Sequence, residues 1–145
     1  MKKYRKAVFV VVYGKENNKI LYLVLKRKLH WIGWEFPKGG IEKGEDIFKT
    51  AKREVFEESG HKTLQIKKFA VKGKYNYDKK TLKDRKKFIG QTYTLFAAEV
   101  KGKRTKIDRQ EHSTFRWLPI EKAIKILTWN DQKKCLKVVD KFLKN

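Results

Sequence analysis

The sequence is poor in cysteine and proline. Of its 145 residues one is a cysteine, Cys135, and two are prolines, Pro37 and Pro119. A single thiol excludes an internal disulfide framework, and with only three histidines beside it we expect no zinc site built from Cys and His alone. We therefore expect a protein of a reducing, intracellular compartment.

The chain also lacks a long hydrophobic run. No stretch of about 18 apolar residues occurs, and the apolar segment 7–12 near the amino terminus has no small-residue cleavage site. We therefore expect a soluble, cytoplasmic protein that has neither a membrane span nor a secretory signal. Its length predicts a single domain over residues 1–145, large enough to bury a core.

Acidic residues are scarce as well. The chain has 16 Asp and Glu against 38 Lys and Arg, which gives a formal net charge of +22. Most of these cations are lysines spread along the whole chain, so they predict attraction of polyanions without indicating which one, and they fit a simple compositional bias equally well. Disorder is excluded, because 40% of the residues are hydrophobic.

Apolar periodicity and turn residues predict an α+β fold, a mixed sheet with helices on its faces. The predicted strands cover residues 4–13, 20–28, 64–77, 87–100 and 114–118, and the predicted helices cover 46–59, 120–127 and a last segment capped by Asn130 or Asp131. The predicted loops are 14–18, 37–40 and 78–86.

One segment concentrates acidic residues in a chain that otherwise has few. Residues 39–60 hold six of them, and the helical spacing places Glu54 and Glu58 beside the apolar sector, with Glu57 farther away. Partly buried neighbouring carboxylates repel one another, and the single Arg53 cannot neutralise three of them. Ligands that offer only oxygen favour Mg²⁺ or Mn²⁺. The alternative is a helix face paired with the many lysines.

The same segment carries a long gapped motif. It reads Gly39, five residues, Glu45, seven residues, Arg53-Glu54-Val55, one residue, Glu57-Glu58, one residue and Gly60. This pattern resembles the Nudix box, G-x5-E-x7-R-E-U-x-E-E-x-G-U, where U is aliphatic or bulky and apolar, and a match of this length is highly specific. Only the last position departs: His61 replaces an apolar residue, and we expect it to have a structural role.

The resemblance implies the Nudix fold, a mixed sheet sandwiched between helices with a loop-helix-loop, and hydrolysis of a nucleoside diphosphate linked to another group. It also implies that Glu54, Glu57 and Glu58 hold Mg²⁺ or Mn²⁺. Gly39 would let backbone carbonyls approach the metal.

Other roles implied by the resemblance concern orientation and proton transfer. Arg53 would orient a carboxylate of the helix, and Glu45 would hold the loop or a further ion through water. The general base differs among Nudix groups, and the candidates here are Glu57 and the downstream Glu111.

Segments outside the box resemble particular Nudix groups. Residues 34–42 are similar to the W-x-F/M-P-K/Q-G-G-I segment of dinucleoside tetraphosphate hydrolases and of bacterial RNA 5′-pyrophosphohydrolases, and the Pro-Lys-Gly within them also occurs in messenger-RNA decapping enzymes. Residues 88–93 resemble the Gly-Gln strand of the first two groups. Residues 111–117 resemble their E-x-x-x-W-R-W segment, with Phe115 in place of the first Trp. These likenesses imply that Lys38 contacts the phosphate chain and that Glu111 is a remote metal ligand or the base.

Basic and aromatic residues fit a substrate with a long phosphate chain. The cations that can offset its charge are Lys38, Lys83, Arg85, Lys86 and Lys87. The aromatic residues that can stack on a base are Tyr75, Tyr77, Phe88 and Tyr93, although each of them also fits an ordinary strand position.

We expect asymmetric hydrolysis of a bis(5′-nucleosyl) tetraphosphate, diadenosine tetraphosphate being cleaved to ATP and AMP. The alternatives are RNA 5′-pyrophosphate removal or decapping, MutT-like hydrolysis of nucleoside triphosphates, and a non-catalytic module that binds RNA. ADP-ribose hydrolases are disfavoured, because they usually carry a proline shortly beyond the box and none lies between Pro37 and Pro119. The sequence favours no particular oligomeric state.

Overall fold

The computed structural model describes residues 3–145, which form a seven-stranded sheet with helices on both faces. The strands are β1 (Lys3–Glu16), β2 (Lys19–Arg27), β3 (Gly33–Glu35), β4 (Lys38–Gly40), β5 (Gln65–Asn76), β6 (Phe88–Glu99) and β7 (His112–Leu118). The helices are α1 (Ile47–Ser59), α2 (Lys79–Asp84), α3 (Ile120–Ile126) and α4 (Asn130–Lys144). This architecture confirms the predicted α+β fold with a mixed sheet between helices.

Strand β1 lies at the centre of the sheet. The main strand order is β3-β2-β1-β6-β5, while β4 pairs with β1 and β7 pairs with β2. The β1 and β6 pair is parallel and the other pairs are antiparallel, so the sheet is mixed. Residues 7–13 of β1 are buried without a break, as expected of a strand that is covered on both faces.

The helices divide the core into two layers. Ala51 and Val55 of α1 pack with even-numbered β1 residues such as Val10 on one face of the sheet. Leu136 and Val139 of α4 pack with odd-numbered β1 residues on the other face. Because side chains alternate along a strand, one apolar strand supplies both layers.

Local signals define the ends of α1. The side chain of Asp46 accepts a hydrogen bond from the Phe48 backbone N–H at 2.7 Å, which caps the first turn. Gly60 follows the last turn with a φ of 74°, in the left-handed region that glycine tolerates best. The predicted helix over residues 46–59 is therefore confirmed.

The first predicted loop, residues 14–18, is partly wrong, because the turn that it contains is shorter. Residues 14–16 continue β1, which pairs with β2 from Glu16 and Lys19 onwards. Only Asn17 and Asn18 form the turn, with φ values of 49° and 64°. A two-residue turn with positive φ matches the twist of the strands, so the hairpin can continue to its tip.

The two other predicted loops are partly wrong as well. Residues 38–40 form β4. They pair with Ala7 to Phe9 of β1, because β2 does not pair with that part of the strand. In the basic segment 78–86, Asp78 accepts a hydrogen bond from the Thr81 backbone N–H at 2.8 Å and caps α2. The cap of α4 was also misplaced: Trp129 occupies that position without a side-chain hydrogen bond, and Asn130 already belongs to the helix.

Candidate metal centre

Helix α1 presents its glutamates on two different surfaces. Glu54 is 9% exposed and Glu58 is 2% exposed, as the helical spacing predicts. The side chain of Glu57 is 52% exposed. Two carboxylates therefore lie between the helix and the sheet, and a third lies at the rim of the same site.

Arg53 joins α1 to the loop that precedes it. Its Nε and Nη2 donate to the two carboxylate oxygens of Glu45 at 2.7 and 2.9 Å, and Nη2 also donates to the Gly40 carbonyl at 3.0 Å. Its Nη1 donates to Glu54 at 2.8 Å and to Glu57 at 3.2 Å. One guanidinium thus orients two glutamates of the box relative to the loop.

Glu45 is fully engaged in holding the loop. Besides Arg53, it accepts hydrogen bonds from the Thr50 hydroxyl at 2.7 Å and from the Glu42 backbone N–H at 3.1 Å. The hydrogen bonds from Arg53 and Thr50 lower the pKa of Glu45 to about 2. These contacts favour the loop-holding role that the resemblance allowed.

Gly39 has no space for a side chain. A Cβ atom built on it would lie 2.0 Å from the carboxyl carbon of Glu54. The Glu54 carboxylate therefore lies directly against the β4 backbone, and any side chain at position 39 would displace it.

The buried carboxylates fit a divalent cation. Glu58 Oε2 accepts the Lys38 backbone N–H at 3.1 Å, but Glu58 Oε1 has no hydrogen-bond partner among the described residues. Burial and the neighbouring charges of Glu54 and Glu35 raise the pKa of Glu58 well above its usual range. A cation held by these oxygens would satisfy the free atom and offset the repulsion, and a donor set of carboxylates suits Mg²⁺ or Mn²⁺.

A second buried network, which no sequence pattern predicted, borders this cluster. Glu35 is wholly buried, and its Oε2 accepts hydrogen bonds from Arg27 Nη1 at 3.1 Å and from His112 Nε2 at 2.8 Å. Burial alone would raise the pKa of Glu35, but Lys38, His112 and Arg27 outweigh it and lower the pKa to about 2. Oxygen and nitrogen atoms of Glu35, Glu58 and His112 lie within 4.8 Å of one another.

Only one sequence signal pointed towards Glu35. It is an acid between two aromatic residues, Trp34 and Phe36, in a chain that has few acids. The two residues that donate hydrogen bonds to it, Arg27 and His112, are 8 and 77 residues away, and no local pattern pairs them with Glu35.

Glu111 lies beside this network. Its backbone carbonyl accepts the Lys28 N–H at 2.8 Å, and its negative charge contributes to the raised pKa of Glu58. The structure thus brings the second base candidate near the box glutamates, while the next residue, His112, is fully buried.

Lys38 lies between two aromatic rings. Its Nζ is 5.7 Å from the ring centre of Trp31 and 5.8 Å from that of Tyr75. It is also 3.4 Å from Glu35 Oε1, its carboxylate partner among the described residues. Trp31 was not among the predicted site residues, although it lies in the aromatic stretch just before the Pro-Lys-Gly segment.

Tyr77 adds to this aromatic and basic region. Its hydroxyl donates to Gln91 at 2.9 Å, its ring lies edge-on to Tyr75 at 6.1 Å, and the Arg85 guanidinium is 5.8 Å from its ring centre. Lys86 and Lys87 follow α2 and are exposed, and no ion pair within residues 3–145 includes them.

The structure contradicts the predicted base-stacking role of Tyr93. Its ring is 6% exposed and stacks on Phe9 at a centroid distance of 4.0 Å. Gly73 closes its other side, because a Cβ atom at that position would lie 2.2 Å from the Tyr93 ring. Strand alternation points Tyr93 into the core layer under α4, so neither ring face is open to a base.

His61 has the structural position that we expected. It is 7% exposed, its Nε2 is 3.0 Å from the Thr105 hydroxyl, and its ring lies edge-on to Trp117 at 5.7 Å.

Across residues 3–145, no helix is long and apolar enough to cross a membrane.

Comparisons with known proteins agree with this arrangement. The chain is 28% identical over 149 residues to the RNA pyrophosphohydrolase of Nitratiruptor sp., a match that covers 99% of this chain and 96% of the relative. It is 30% identical to the asymmetrical bis(5′-nucleosyl)-tetraphosphatase of Mus musculus, with 88% of this chain and 84% of the relative covered.

A solved structure gives the same result for the fold. The Ap4A hydrolase of C. elegans, in a binary complex, superposes with a TM-score of 0.76 at 25% identity, and the match covers 97% of this chain and 98% of the other. A family profile described as the NUDIX domain matches residues 3–139. These matches confirm the resemblance inferred from the box: the chain belongs to the NUDIX family of hydrolases.

Proposed function

We propose that this protein catalyses Mg²⁺-dependent asymmetric hydrolysis of a bis(5′-nucleosyl) tetraphosphate, with diadenosine tetraphosphate cleaved to ATP and AMP. The position of Lys38 is the observation that carries the proposal. Its backbone N–H contacts Glu58, and its ammonium group lies within 6 Å of the Trp31 and Tyr75 ring centres. A phosphate chain that contacts Lys38 would therefore adjoin both the acidic cluster and aromatic rings that can stack on a base.

Glu54, Glu57 and Glu58 would hold the Mg²⁺ ion, with the Gly39 backbone beside them and Glu111 as a remote ligand. When bound, the ion offsets the phosphate charge that builds up in the transition state and polarises water. The free oxygen of Glu58 and the contact between Gly39 and the Glu54 carboxylate support this assignment.

Two glutamates are candidates for the general base. Glu57 is half exposed and is oriented by Arg53 at 3.2 Å, so water can reach it in a fixed geometry. Glu111 lies beside the buried network, and its charge contributes to the raised pKa of Glu58. Replacing the general base with Gln should abolish the pH dependence of kcat that arises from ionisation of its carboxylate. The Gln variant of the other candidate should keep that pH dependence.

The cations divide between two roles. Lys38 is held at the acidic cluster and would contact the phosphates nearest to the cleaved bond. Arg85 lies against Tyr77, and the exposed Lys86 and Lys87 would attract the more distant part of the phosphate chain.

Tyr75 and Tyr77 remain as candidates for stacking on a base of the substrate, while Tyr93 does not.

A second candidate function is pyrophosphate removal or decapping at the 5′ end of RNA. The net charge of +22 and the exposed lysines after α2 would attract RNA as well as a dinucleoside tetraphosphate. The RNA pyrophosphohydrolase among the relatives supports the same candidate.

A substrate panel tests the proposal. We expect diadenosine tetraphosphate to yield ATP and AMP in equal amounts with Mg²⁺, and to be hydrolysed with a higher kcat/KM than 5′-triphosphorylated RNA or nucleoside triphosphates. A higher kcat/KM on RNA or on nucleoside triphosphates would replace the proposal with that activity. If no substrate is hydrolysed while RNA binds with a steep salt dependence, the protein is a non-catalytic RNA-binding module.

A further inference from the structure

Glu35 is the most deeply buried acid near the site, and the proposed chemistry gives it no role so far. It lies at the end of β3, and its carboxylate is wholly enclosed. An ionised carboxylate in the interior is costly unless hydrogen bonds and counter-charges surround it, and an apolar side chain would fill the same space without that cost. The surroundings of Glu35 must therefore explain why a carboxylate is there.

On one side, Glu35 holds two permanent cations together. Arg27 Nη1 is 3.1 Å from Oε2, and Lys38 Nζ is 3.4 Å from Oε1. Both cations also lie under the Trp31 ring, at 5.9 and 5.7 Å from its centre. The carboxylate of Glu35 reduces the repulsion between Arg27 and Lys38. The three side chains together still carry a net positive charge, so they attract a phosphate group.

On the other side, Glu35 fixes His112, which lies next to the metal glutamates. His112 Nε2 is 2.8 Å from Glu35 Oε2 and 3.8 Å from Glu58 Oε1. That Glu58 oxygen has no hydrogen-bond partner in the described part of the chain. The imidazole of His112 therefore limits the positions that this oxygen of Glu58 can occupy.

We propose that Glu35 is a positioning residue that holds Lys38 and Arg27 in place for the phosphate chain and, through His112, holds Glu58 in place for the metal. The claim about the phosphate chain rests on the proposed function, whereas the claim about the metal rests only on the glutamates of the box. Without the carboxylate, the two cations repel each other and move apart, and His112 loses the acceptor that fixes its ring.

The experiment compares Glu35→Gln with a matched control, Asp140→Asn. Asp140 is also a buried carboxylate, but it contacts Tyr22 at 2.6 Å and Lys144 at 2.8 Å, and it belongs to α4, which packs on the opposite face of the sheet from α1. Both variants lose a buried charge, so both should unfold at a lower temperature. Only Glu35→Gln should change the affinity for Mn²⁺ and the KM for the substrate.

For Glu35→Gln we expect about a tenfold higher Kd for Mn²⁺, measured by electron paramagnetic resonance without substrate, because lost outer contacts weaken metal sites on this scale. We also expect about a tenfold higher KM for diadenosine tetraphosphate, for the same loss of outer support. In a Lys38→Met background, the additional effect of Glu35→Gln on KM should be much smaller than in the wild-type background, since the two residues act as one unit.

Wild-type Mn²⁺ affinity and wild-type KM in a folded Glu35→Gln protein would overturn the inference, as would equal changes in Asp140→Asn. If Glu35→Gln does not fold, Glu35→Asp replaces it, and we expect smaller changes in the same direction. Unchanged values in Glu35→Asp would then count against the inference. If the wild-type protein does not hydrolyse dinucleoside tetraphosphate, the proposed function fails, and the Mn²⁺ measurement still tests the role of Glu35.

Discussion

At the scale of single residues, we expect that the carboxylates of the proposed metal site cannot be replaced by amides. Glu58→Gln and Glu57→Gln keep the size of the side chain and remove its charge. We expect each to lower kcat by about two orders of magnitude or more, because a carboxylate ligand that offsets metal charge is lost.

Steady-state kinetics with Mg²⁺ measures this effect, and circular dichroism confirms that each variant is folded. The buried Glu58→Gln protein should be at least as stable as the wild type without metal, because burial raises the pKa of Glu58 and makes its charged form unfavourable. Near-wild-type turnover in both variants would contradict the assignment of the metal centre.

Lys38 should act on binding more than on chemistry. Lys38→Ala removes the ammonium that lies between Trp31 and Tyr75. We expect KM for diadenosine tetraphosphate to rise by about tenfold or more, the scale of a lost charge-assisted contact, with a smaller change for substrates that have fewer phosphates. An equal loss on all substrates would show that Lys38 supports the fold of the site and not the phosphate chain.

His61 provides a pH-dependent test of the departure from the Nudix pattern. Burial lowers the pKa of His61 below its ordinary value of 6.5, so the unfolded chain binds more protons than the folded one just below pH 6.5. The contribution of His61 to stability should therefore rise with pH through that window and stay constant above it.

Urea unfolding of the wild type and of His61→Gln between pH 5 and 8 measures this contribution. The difference in unfolding free energy between the two proteins should shift in favour of the wild type as pH rises to 6.5. A difference that does not vary with pH would show that the folded state does not shift the titration of His61.

At the scale of elements, helix α1 and its two ends hold the acidic cluster against the sheet. Gly60 ends the helix at a φ of 74°, and a Cβ atom there would lie 3.1 Å from the Lys106 Cβ. We expect Gly60→Ala to reduce the free energy of unfolding by about 1 kcal/mol, from backbone strain. Denaturant unfolding measures the change.

Gly14→Ala is the matched control for that variant. Gly14 has no positive φ, and the atom nearest to an added Cβ is 3.5 Å away, so the substitution should be neutral or slightly stabilising. Equal losses in the two variants would mean that the left-handed conformation at Gly60 is not what makes the substitution costly.

The sequence predicted those elements whose signals are local. Asp46 and Gly60 mark the ends of α1, and the spacing of Glu54 and Glu58 predicted their burial correctly. Strand β4 was missed because it forms only by pairing with β1, more than 25 residues earlier in the chain.

The same reason explains which site residues were missed or misassigned. Glu35 and His112 meet across 77 residues, and Trp31 reaches Lys38 only through the tertiary fold. Tyr93 was misassigned because aromatic residues in a strand fit either face, and only the packing against Phe9 shows which face is buried.

At the scale of the whole molecule, a chain with a strong excess of positive charge contains a small cluster of buried acids. The net charge of +22 should raise the local concentration of a polyphosphate, and the acidic cluster should hold the cation that the phosphates need. Attraction of this kind weakens with salt, so kcat/KM should fall as ionic strength rises while kcat changes little.

The central claim is that the carboxylates of α1, together with Lys38, form a metal-dependent site for a dinucleoside tetraphosphate. Separation of the products formed from diadenosine tetraphosphate with Mg²⁺, for the wild type and for Glu58→Gln, tests it most directly. We expect equal amounts of ATP and AMP from the wild type and a loss of activity of at least about a hundredfold in the variant. Two molecules of ADP as product, no hydrolysis by the wild type, or equal rates for the two proteins would contradict it.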